Sequence, residues 1–135
     1  MTPELLVLSR DAAERYQPDG AEICISIRDP SADPVRLSSS FRAVLELAFS
    51  DLLERGTEDD VLFSENHAAR ILEFLSQWPQ MDRVVIHCNA GVSRSPGVAL
   101  GLCDVHGWAT EDLERNYPAW NRLVRQVIAA AWRVT

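Results

Sequence analysis

A stretch at residues 84–96 constrains this chain more than any other, because a strand, a polar loop and a helix start follow one another there. Val84, Val85 and Ile86 form an apolar, β-branched run that is typical of a buried strand. Ser95 and Pro96 then open a helical pattern, since proline is favoured in the first turn of a helix. The sequence therefore predicts a tight loop that aims backbone N–H groups and a helix N-terminus at one point. Such a point suits a phosphate-sized anion.

Two side chains of this loop, Cys88 and Arg94, have the chemistry to act on such an anion. The positive field of the loop favours the thiolate of Cys88 and therefore its nucleophilicity. The guanidinium of Arg94 is a planar fork that can hold two phosphate oxygens at once. The six-residue separation of cysteine and arginine occurs only at Cys88, because neither Cys24 nor Cys103 is followed by an arginine six residues later.

His87, Gly91 and Ser95 complete the pattern, and the whole stretch resembles the signature loop His-Cys-x-x-Gly-x-x-Arg-Ser of the cysteine-dependent protein phosphatases. The similarity is to their small dual-specificity-like branch, and it is strong at the loop and weak before Phe41. It implies an α/β fold in one domain over residues 1–135, with helices around a mostly parallel sheet and the signature loop between a strand and a helix. The alternative is a strand–loop–helix corner that holds an idle buried cysteine.

The resemblance also implies an activity. It is the hydrolysis of phosphomonoesters, of the protein tyrosine or dual-specificity type, through a phosphocysteine intermediate on Cys88. Ser95 would assist the sulfur as the leaving group of the second step, and His87 would orient the loop by hydrogen bonding. No metal or other cofactor is required, and the three histidines show no ligand spacing. The residues implied to bind the phosphate are Asn89, Ala90, Gly91, Val92, Ser93 and Arg94.

A carboxylic acid must protonate the leaving oxygen. The resemblance places that acid on the loop that follows the preceding strand and comes before the helix that leads to the signature strand. Asp51, Asp59 and Asp60 are the candidates there. Asp51 directly follows the strand pattern of residues 45–49 and is preferred, while its long separation from Cys88 leaves the other two open. For each aspartate the alternative is a solvated loop carboxylate.

The other elements follow from local patterns. Alternating or short apolar runs predict strands at residues 5–8 and 22–27. The run 41–52 fits a strand and a helix equally well by periodicity, and the resemblance favours the strand. Residues 28–40 and 50–60 are predicted loops, the second with Gly56 as a pivot. Helices are predicted at residues 11–16, 64–78 (capped by Ser64), 96–105 (ended by Gly107), 110–115 and after Pro118.

Three residues outside the signature have an expected structural role. Arg28 and Asp29, at the end of the second strand, are predicted to form a surface ion pair, with a substrate clamp as the alternative. Asn121 resembles an asparagine near the C-terminal helix of related phosphatases, and we expect it to brace the loops.

The composition limits the partners. A net charge of −7 argues against a nucleic-acid partner. All thirteen basic residues are arginine, and the signature loop lacks the lysines that phosphoinositide phosphatases often carry. The substrate is therefore expected to be a phosphorylated protein or a small phosphomonoester. The sequence does not decide whether the substrate carries phosphotyrosine, phosphoserine or phosphothreonine. The oligomeric state also stays open.

The three cysteines form an odd set, which suits a reducing cytoplasm better than a disulfide framework. No secretory leader or apolar run long enough to cross a bilayer is visible, so we expect a cytoplasmic protein with no membrane partner. Cys24 is predicted to be a small buried residue, and a redox partnership with Cys88 is its alternative. A redox role of Cys103 stays open.

Other classes fit less well. Low-molecular-weight tyrosine phosphatases and their arsenate-reductase relatives share Cys-(x)5-Arg-Ser, but their loop is N-terminal and their Asp-Pro acid comes late, the reverse of the order here. Rhodaneses have a cysteine loop but generally lack the arginine and serine. A non-catalytic phosphate-binding module that recognises a phosphoprotein would keep Gly91 and Arg94 and typically lose the cysteine, whereas Cys88 is present.

Overall fold

The computed structural model describes residues 2–54 and 56–133. Its strands form one sheet that helices flank, which confirms the predicted α/β class. The strands are β1 (Glu4–Leu8), β2 (Glu22–Arg28), β3 (Val44–Ala48) and β4 (Arg83–His87). The helices are α1 (Arg10–Arg15), α2 (Glu65–Ser76), α3 (Arg94–His106), α4 (Glu111–Asn116) and α5 (Arg122–Arg133).

The sheet has the strand order β1-β4-β2-β3, and every neighbouring pair is parallel. The signature strand β4 lies between β1 and β2, so that His87 at its end faces Leu8 on one side and Ser26 on the other. In open parallel sheets ligands bind outside the carboxyl ends of the strands. The topology therefore places the loop after β4 near the middle of that edge.

The ambiguous run 41–52 contains strand β3, as the resemblance favoured. The strand pairs with β2 in a register that sets Leu45 beside Ile25 and Leu47 beside Ile27. Leu47 is buried in the main core. The hydrogen bonds to a neighbouring strand decide the conformation, which periodicity alone leaves undecided.

Both faces of β2 are covered, because the strand is central in the sheet. The isoleucine face lies in the main core, together with residues of β4, α2, α3 and α5. On the other face Cys24 packs with Phe41 and Val85 and is fully buried, as predicted. Glu22 on that face is also buried, and it accepts a hydrogen bond from Tyr16 and pairs with Arg83 at 3.2 Å.

The register excludes the redox partnership of Cys24 with Cys88 in this conformation. Cys24 lies beside Val85 of β4, and Cys88 comes three residues later. Three residues of strand span about 10 Å. A disulfide requires Cα atoms within about 7 Å of each other, so the two thiols cannot be bridged without a large backbone movement.

Most helix boundaries lie close to the predicted ones. Ser64 caps α2 as expected. The backbone N–H of Ser64 donates to the Nδ1 atom of His67 at 2.9 Å. Helix α3 begins at Arg94, two residues before the predicted start, and Gly107 ends it with a φ of 73°. Of the predicted loop 50–60, Arg55 lies outside the described residues, as do the chain ends of the predicted domain.

Helix α3 packs chiefly against α5, and α2 also packs on α5. Glycines let α3 approach its neighbours closely: a Cβ atom at Gly97 would lie 2.8 Å from the carbonyl oxygen of Asn121. None of the helices in the described part of the chain is long and apolar enough to span a bilayer.

Replacing Gly101 by alanine tests the packing of α3 on α5. The new Cβ would lie 2.9 Å from the Cβ atom of Ile128, and overpacking of a full core costs roughly 1–3 kcal/mol. We expect Gly101→Ala to lower the urea midpoint by a corresponding amount. Gly20→Ala is the control, because its new Cβ would approach only the flexible carboxylate of Asp82. Equal midpoints for the two variants would contradict the described packing.

Candidate active site

The loop between β4 and α3 is held against the end of β1 and the start of α1. Gly91 has a φ of 75°, and a Cβ atom there would lie 2.7 Å from the backbone nitrogen of Ser9 and 2.8 Å from the carbonyl carbon of Leu8. Only glycine avoids both the strain and the collision. The N–H of Arg10 donates to the carbonyl of Asn89 at 3.0 Å. The signature glycine is therefore required by the close approach of two backbones.

Cys88 lies at the bottom of this loop, with 2% of its surface exposed. Its Sγ atom is 3.1 Å from the hydroxyl of Ser95 and accepts a hydrogen bond from the N–H of Gly91 at 3.2 Å. The positive end of α3, which begins at Arg94, faces the same region. The sulfur therefore lies beside two hydrogen-bonding groups at the positive end of a helix.

The other two thiols have a different environment. Burial raises the pKa of Cys24 to about 12. Burial, aided by the nearby Asp104 carboxylate, raises the pKa of Cys103 to about 11. Both therefore stay protonated at neutral pH, which makes them poor nucleophiles.

Arg94, at the other end of the loop, is 4% exposed. Its Nη1 atom donates to the carboxylate of Asp29 at 2.7 Å and to the carbonyl of Phe49 at 2.9 Å. The predicted ion pair between Arg28 and Asp29 is therefore wrong. The ends of β2 and β3 converge on the start of α3, which brings Asp29 to the signature arginine.

The Nε atom of Arg94 is buried and has no hydrogen-bond partner among the described residues. A buried, charged donor without a partner is costly, so such a group is usually matched by a ligand or ordered water. A guanidinium N–H at the end of the signature loop has the chemistry to meet an anion such as phosphate.

Three backbone N–H groups of the signature loop also lack a hydrogen-bond partner among the described residues. The N–H groups of Ala90, Val92 and Ser93 donate to no other group in the described part of the chain. Ala90 and Val92 are exposed, Val92 to 50%. These donors are thus available to an anion from solvent.

His87 is completely buried at the end of β4. Its Nδ1 atom is 3.3 Å from the carbonyl oxygen of Cys88, and its Nε2 atom is 2.6 Å from the hydroxyl of Ser26. A carbonyl only accepts, so Nδ1 carries the proton and Nε2 accepts from Ser26. Burial lowers the pKa of His87 and keeps the ring neutral at pH 7. The ring thus holds the backbone at Cys88, and sequence analysis missed the contribution of Ser26.

Asp51 is the candidate acid that contacts the signature loop. Its Oδ1 atom accepts hydrogen bonds from the hydroxyl of Ser93 at 2.7 Å and from Nδ2 of Asn121 at 2.9 Å. Asn121 also donates to the carbonyl of Leu52 at 3.2 Å and accepts from the N–H of Val124 at 3.0 Å. The bracing contacts expected of Asn121 are therefore present, and they fix the orientation of the Asp51 carboxyl.

The two other aspartates are not brought to the loop. Asp60 accepts hydrogen bonds from the N–H groups of Gly56 at 3.2 Å and Thr57 at 2.7 Å, so it closes its own turn. Asp59 is exposed. The assignment of the acid remains a prediction, and contact with Ser93 favours Asp51. Within the described residues no three His, Cys, Asp or Glu side chains converge as metal ligands would.

Comparison with solved structures identifies the fold of this chain. No family model and no curated protein matches the sequence. Among solved structures, the chain is similar to Tk-PTP in its active form, with 16% identity, a TM-score of 0.58, and coverage of 97% of this chain and 91% of that one. The chain has the fold of the cysteine-dependent protein phosphatases.

Two further structures agree with this phosphatase fold. The human tyrosine phosphatase-like serine/threonine/tyrosine-interacting protein is 17% identical, with a TM-score of 0.55 over 85% of this chain and 78% of its own. The protein PTPMT1, solved in complex with PI(5)P, is 17% identical, with a TM-score of 0.54 over 84% of this chain and 78% of its own. At these identities the likeness establishes the fold, and the chemistry follows from the residues of this chain.

Thiol reactivity tests the contrast between the three cysteines. Brief treatment of the folded protein with iodoacetamide at pH 7 should label Cys88 and leave Cys24 and Cys103 unlabelled, because burial keeps the latter two protonated. Mass spectrometry of the digest identifies the labelled site. The unfolded protein, which should react at all three, is the control. Labelling of Cys24 or Cys103 ahead of Cys88 would contradict the described environments.

Proposed function

We propose that the chain hydrolyses phosphomonoesters through a phosphocysteine intermediate on Cys88, as an enzyme of the protein tyrosine or dual-specificity type. One arrangement carries the proposal. The buried sulfur contacts the Gly91 N–H and the Ser95 hydroxyl, while the unpartnered Nε of Arg94 lies at the other end of the same loop. A nucleophile and donors for phosphate oxygens thus share one site.

In the first step the thiolate of Cys88 attacks phosphorus, so that the S–P bond forms and the P–O bond to the leaving group breaks. The free loop N–H groups and Arg94 hold the three equatorial oxygens, where charge accumulates during the transfer. The protonated carboxyl of Asp51 gives its proton to the leaving oxygen. Because Oδ1 of Asp51 accepts from Ser93 and Asn121, the proton lies on Oδ2.

In the second step a water molecule attacks phosphorus from the side that the leaving group vacated. Asp51, now a carboxylate, takes a proton from this water, and the S–P bond breaks to release inorganic phosphate and the thiolate. Ser95 donates its hydroxyl proton in a hydrogen bond to the departing sulfur, from which it lies 3.1 Å. The cycle returns Cys88 and Asp51 to their starting states.

Three neighbouring residues support these steps without contacting the reacting atoms. His87 and Ser26 fix the carbonyl of Cys88, and hence the direction of its side chain. Asp29 holds one nitrogen of Arg94, which leaves Nε for the phosphate.

The substrate we propose is a phosphorylated protein, with a small phosphomonoester as the alternative. PTPMT1 was solved in complex with PI(5)P, whereas the signature loop of this chain has no lysine. The three free cysteines support a cytoplasmic location.

Hydrolysis of para-nitrophenyl phosphate, with a chelator present, is the first test. The wild type should turn over, and Cys88→Ser should lose activity by roughly a thousand-fold or more, because a hydroxyl at this position is not ionised. Trapping of a phosphorylated Cys88 by rapid acid quench would support the intermediate. Full activity of Cys88→Ser would refute the proposal, whereas phosphate or vanadate binding without any turnover would favour a recognition module.

The acid is tested with a matched pair of aspartates. Asp51→Asn should lower kcat about 10²- to 10³-fold on phosphotyrosine, since loss of a general acid typically costs that much. The loss should be smaller on para-nitrophenyl phosphate, whose leaving group needs little protonation. Asp59→Asn, on the same loop and without contact to the signature loop, should keep wild-type kcat. A selective loss in Asp59→Asn instead would move the acid to that residue.

A further inference from the structure

The loop that carries the candidate acid, between β3 and α2, is closed by hydrogen bonds between its two ends. The N–H of Ser50 donates to the carbonyl of Val61 at 2.7 Å, and the N–H of Val61 donates to the hydroxyl of Ser50 at 3.1 Å. We call these two residues the neck of the loop. Loops with closed ends of this kind are Ω-loops. Asp51 is the first residue beyond the neck, so its direction depends on whether the neck stays closed.

Three aromatic rings pack together next to the neck. Phe49 precedes the neck and Phe63 follows it, and their ring centres lie 4.9 Å apart at an interplanar angle of 67°. The imidazole of His67, in the first turn of α2, lies 5.4 Å from each of the two phenyl rings. Both phenylalanines are buried. The histidine ring thus contacts the chain on both sides of the neck.

The two nitrogen atoms of His67 bond to different ends of the loop. Nδ1 accepts from the N–H of Ser64 at 2.9 Å, so it carries no proton and the ring proton is on Nε2. The carbonyl of Ala48, the last residue of β3, accepts from the ring. Burial lowers the pKa of His67, and the nearby charge of Arg70 acts in the same direction, so the ring is neutral at pH 7. We refer to this link between Ala48 and Ser64 as the clamp.

Histidine meets a demand at this position that the residues of an ordinary helix start do not all meet. The third residue of a capping box is commonly Glu or Gln, whose side chain accepts the N–H of the capping residue. A glutamate at position 67 could accept from Ser64 but would have no proton for the carbonyl of Ala48. The neutral imidazole makes both bonds, which indicates a role beyond capping α2.

The end of β3 that the clamp holds also contacts the signature arginine. The carbonyl of Phe49 accepts from Nη1 of Arg94 at 2.9 Å, and the next residue, Ser50, belongs to the neck. A displacement of this segment would therefore disturb Arg94 on one side and Asp51 on the other. The position of His67 thus affects the site without any contact between the imidazole and the reacting atoms.

We propose that His67 is a positioning residue for proton transfer: its neutral ring holds the two ends of the loop together and keeps the carboxyl of Asp51 directed at the leaving oxygen. The proposal rests on the proposed function, because it takes Asp51 to be the acid. A general acid must lie within hydrogen-bond reach of the atom that it protonates. A displacement of about 1 Å can cost roughly 10²-fold in rate.

Two aryl phosphates that differ in their leaving group test this role. Phenyl phosphate depends on proton donation far more than para-nitrophenyl phosphate does. His67→Ala should lower kcat/KM for phenyl phosphate about ten- to a hundred-fold, and for para-nitrophenyl phosphate much less. Asn66→Ala, at the exposed neighbouring position of α2, is the control and should match the wild type on both. A loss of equal size on the two substrates would indicate a general effect on the fold and overturn the proposal.

Two further variants separate the clamp from the helix cap. His67→Glu and His67→Gln can both accept from the N–H of Ser64, but only glutamine also has an N–H for the carbonyl of Ala48. His67→Gln should therefore restore most of the kcat/KM for phenyl phosphate, whereas His67→Glu should stay as low as His67→Ala. Wild-type kcat/KM in His67→Glu would show that capping alone is sufficient, and it would refute the clamp.

Hydrogen exchange measures the neck directly and separates this inference from the proposed function. The amides of Ser50 and Val61 should exchange at least about five-fold faster in His67→Ala than in the wild type and Asn66→Ala, as when a helix cap is lost. This result in a protein without turnover would support the clamp although the catalytic proposal fails. Equal exchange in all three proteins would refute the clamp. Turnover through Cys88 with an unchanged leaving-group dependence in His67→Ala would refute the positioning role and leave the catalytic proposal intact.

Discussion

The close backbone contact of Gly91 with Leu8 and Ser9 fixes the position of everything else at this site. It sets the loop after β4 on the end of β1, with a positive φ that only glycine adopts without strain. Cys88 is then placed beside the Gly91 N–H and the Ser95 hydroxyl at the start of α3. A side chain at position 91 would push two backbone segments apart, and the N–H that contacts the sulfur would move with them.

A second layer of contacts joins the signature loop to strands that are distant in sequence. Arg94 reaches the carboxylate of Asp29 after β2 and the carbonyl of Phe49 after β3. These contacts exist because all strands are parallel, so that their carboxyl ends meet at one edge of the sheet. They also orient the guanidinium so that its buried Nε atom has no hydrogen-bond partner among the described residues.

A third set of contacts joins Asp51 to the turn that leads into α5. Asn121 holds Asp51 through its amide, and its own backbone N–H donates to the carbonyl of Ser93 at 2.9 Å. The orientation of the Asp51 carboxyl therefore depends on this turn.

The sequence by itself determined the chemistry of the loop, because residues 84–96 are contiguous and their strand, turn and helix signals are local. Only the tertiary structure decided which groups join them. Asp51 bonds to a residue 42 positions away, and Asp29 bonds to one 65 positions away. Periodicity carries no information about such pairs, since strand order and parallel pairing set which loops meet.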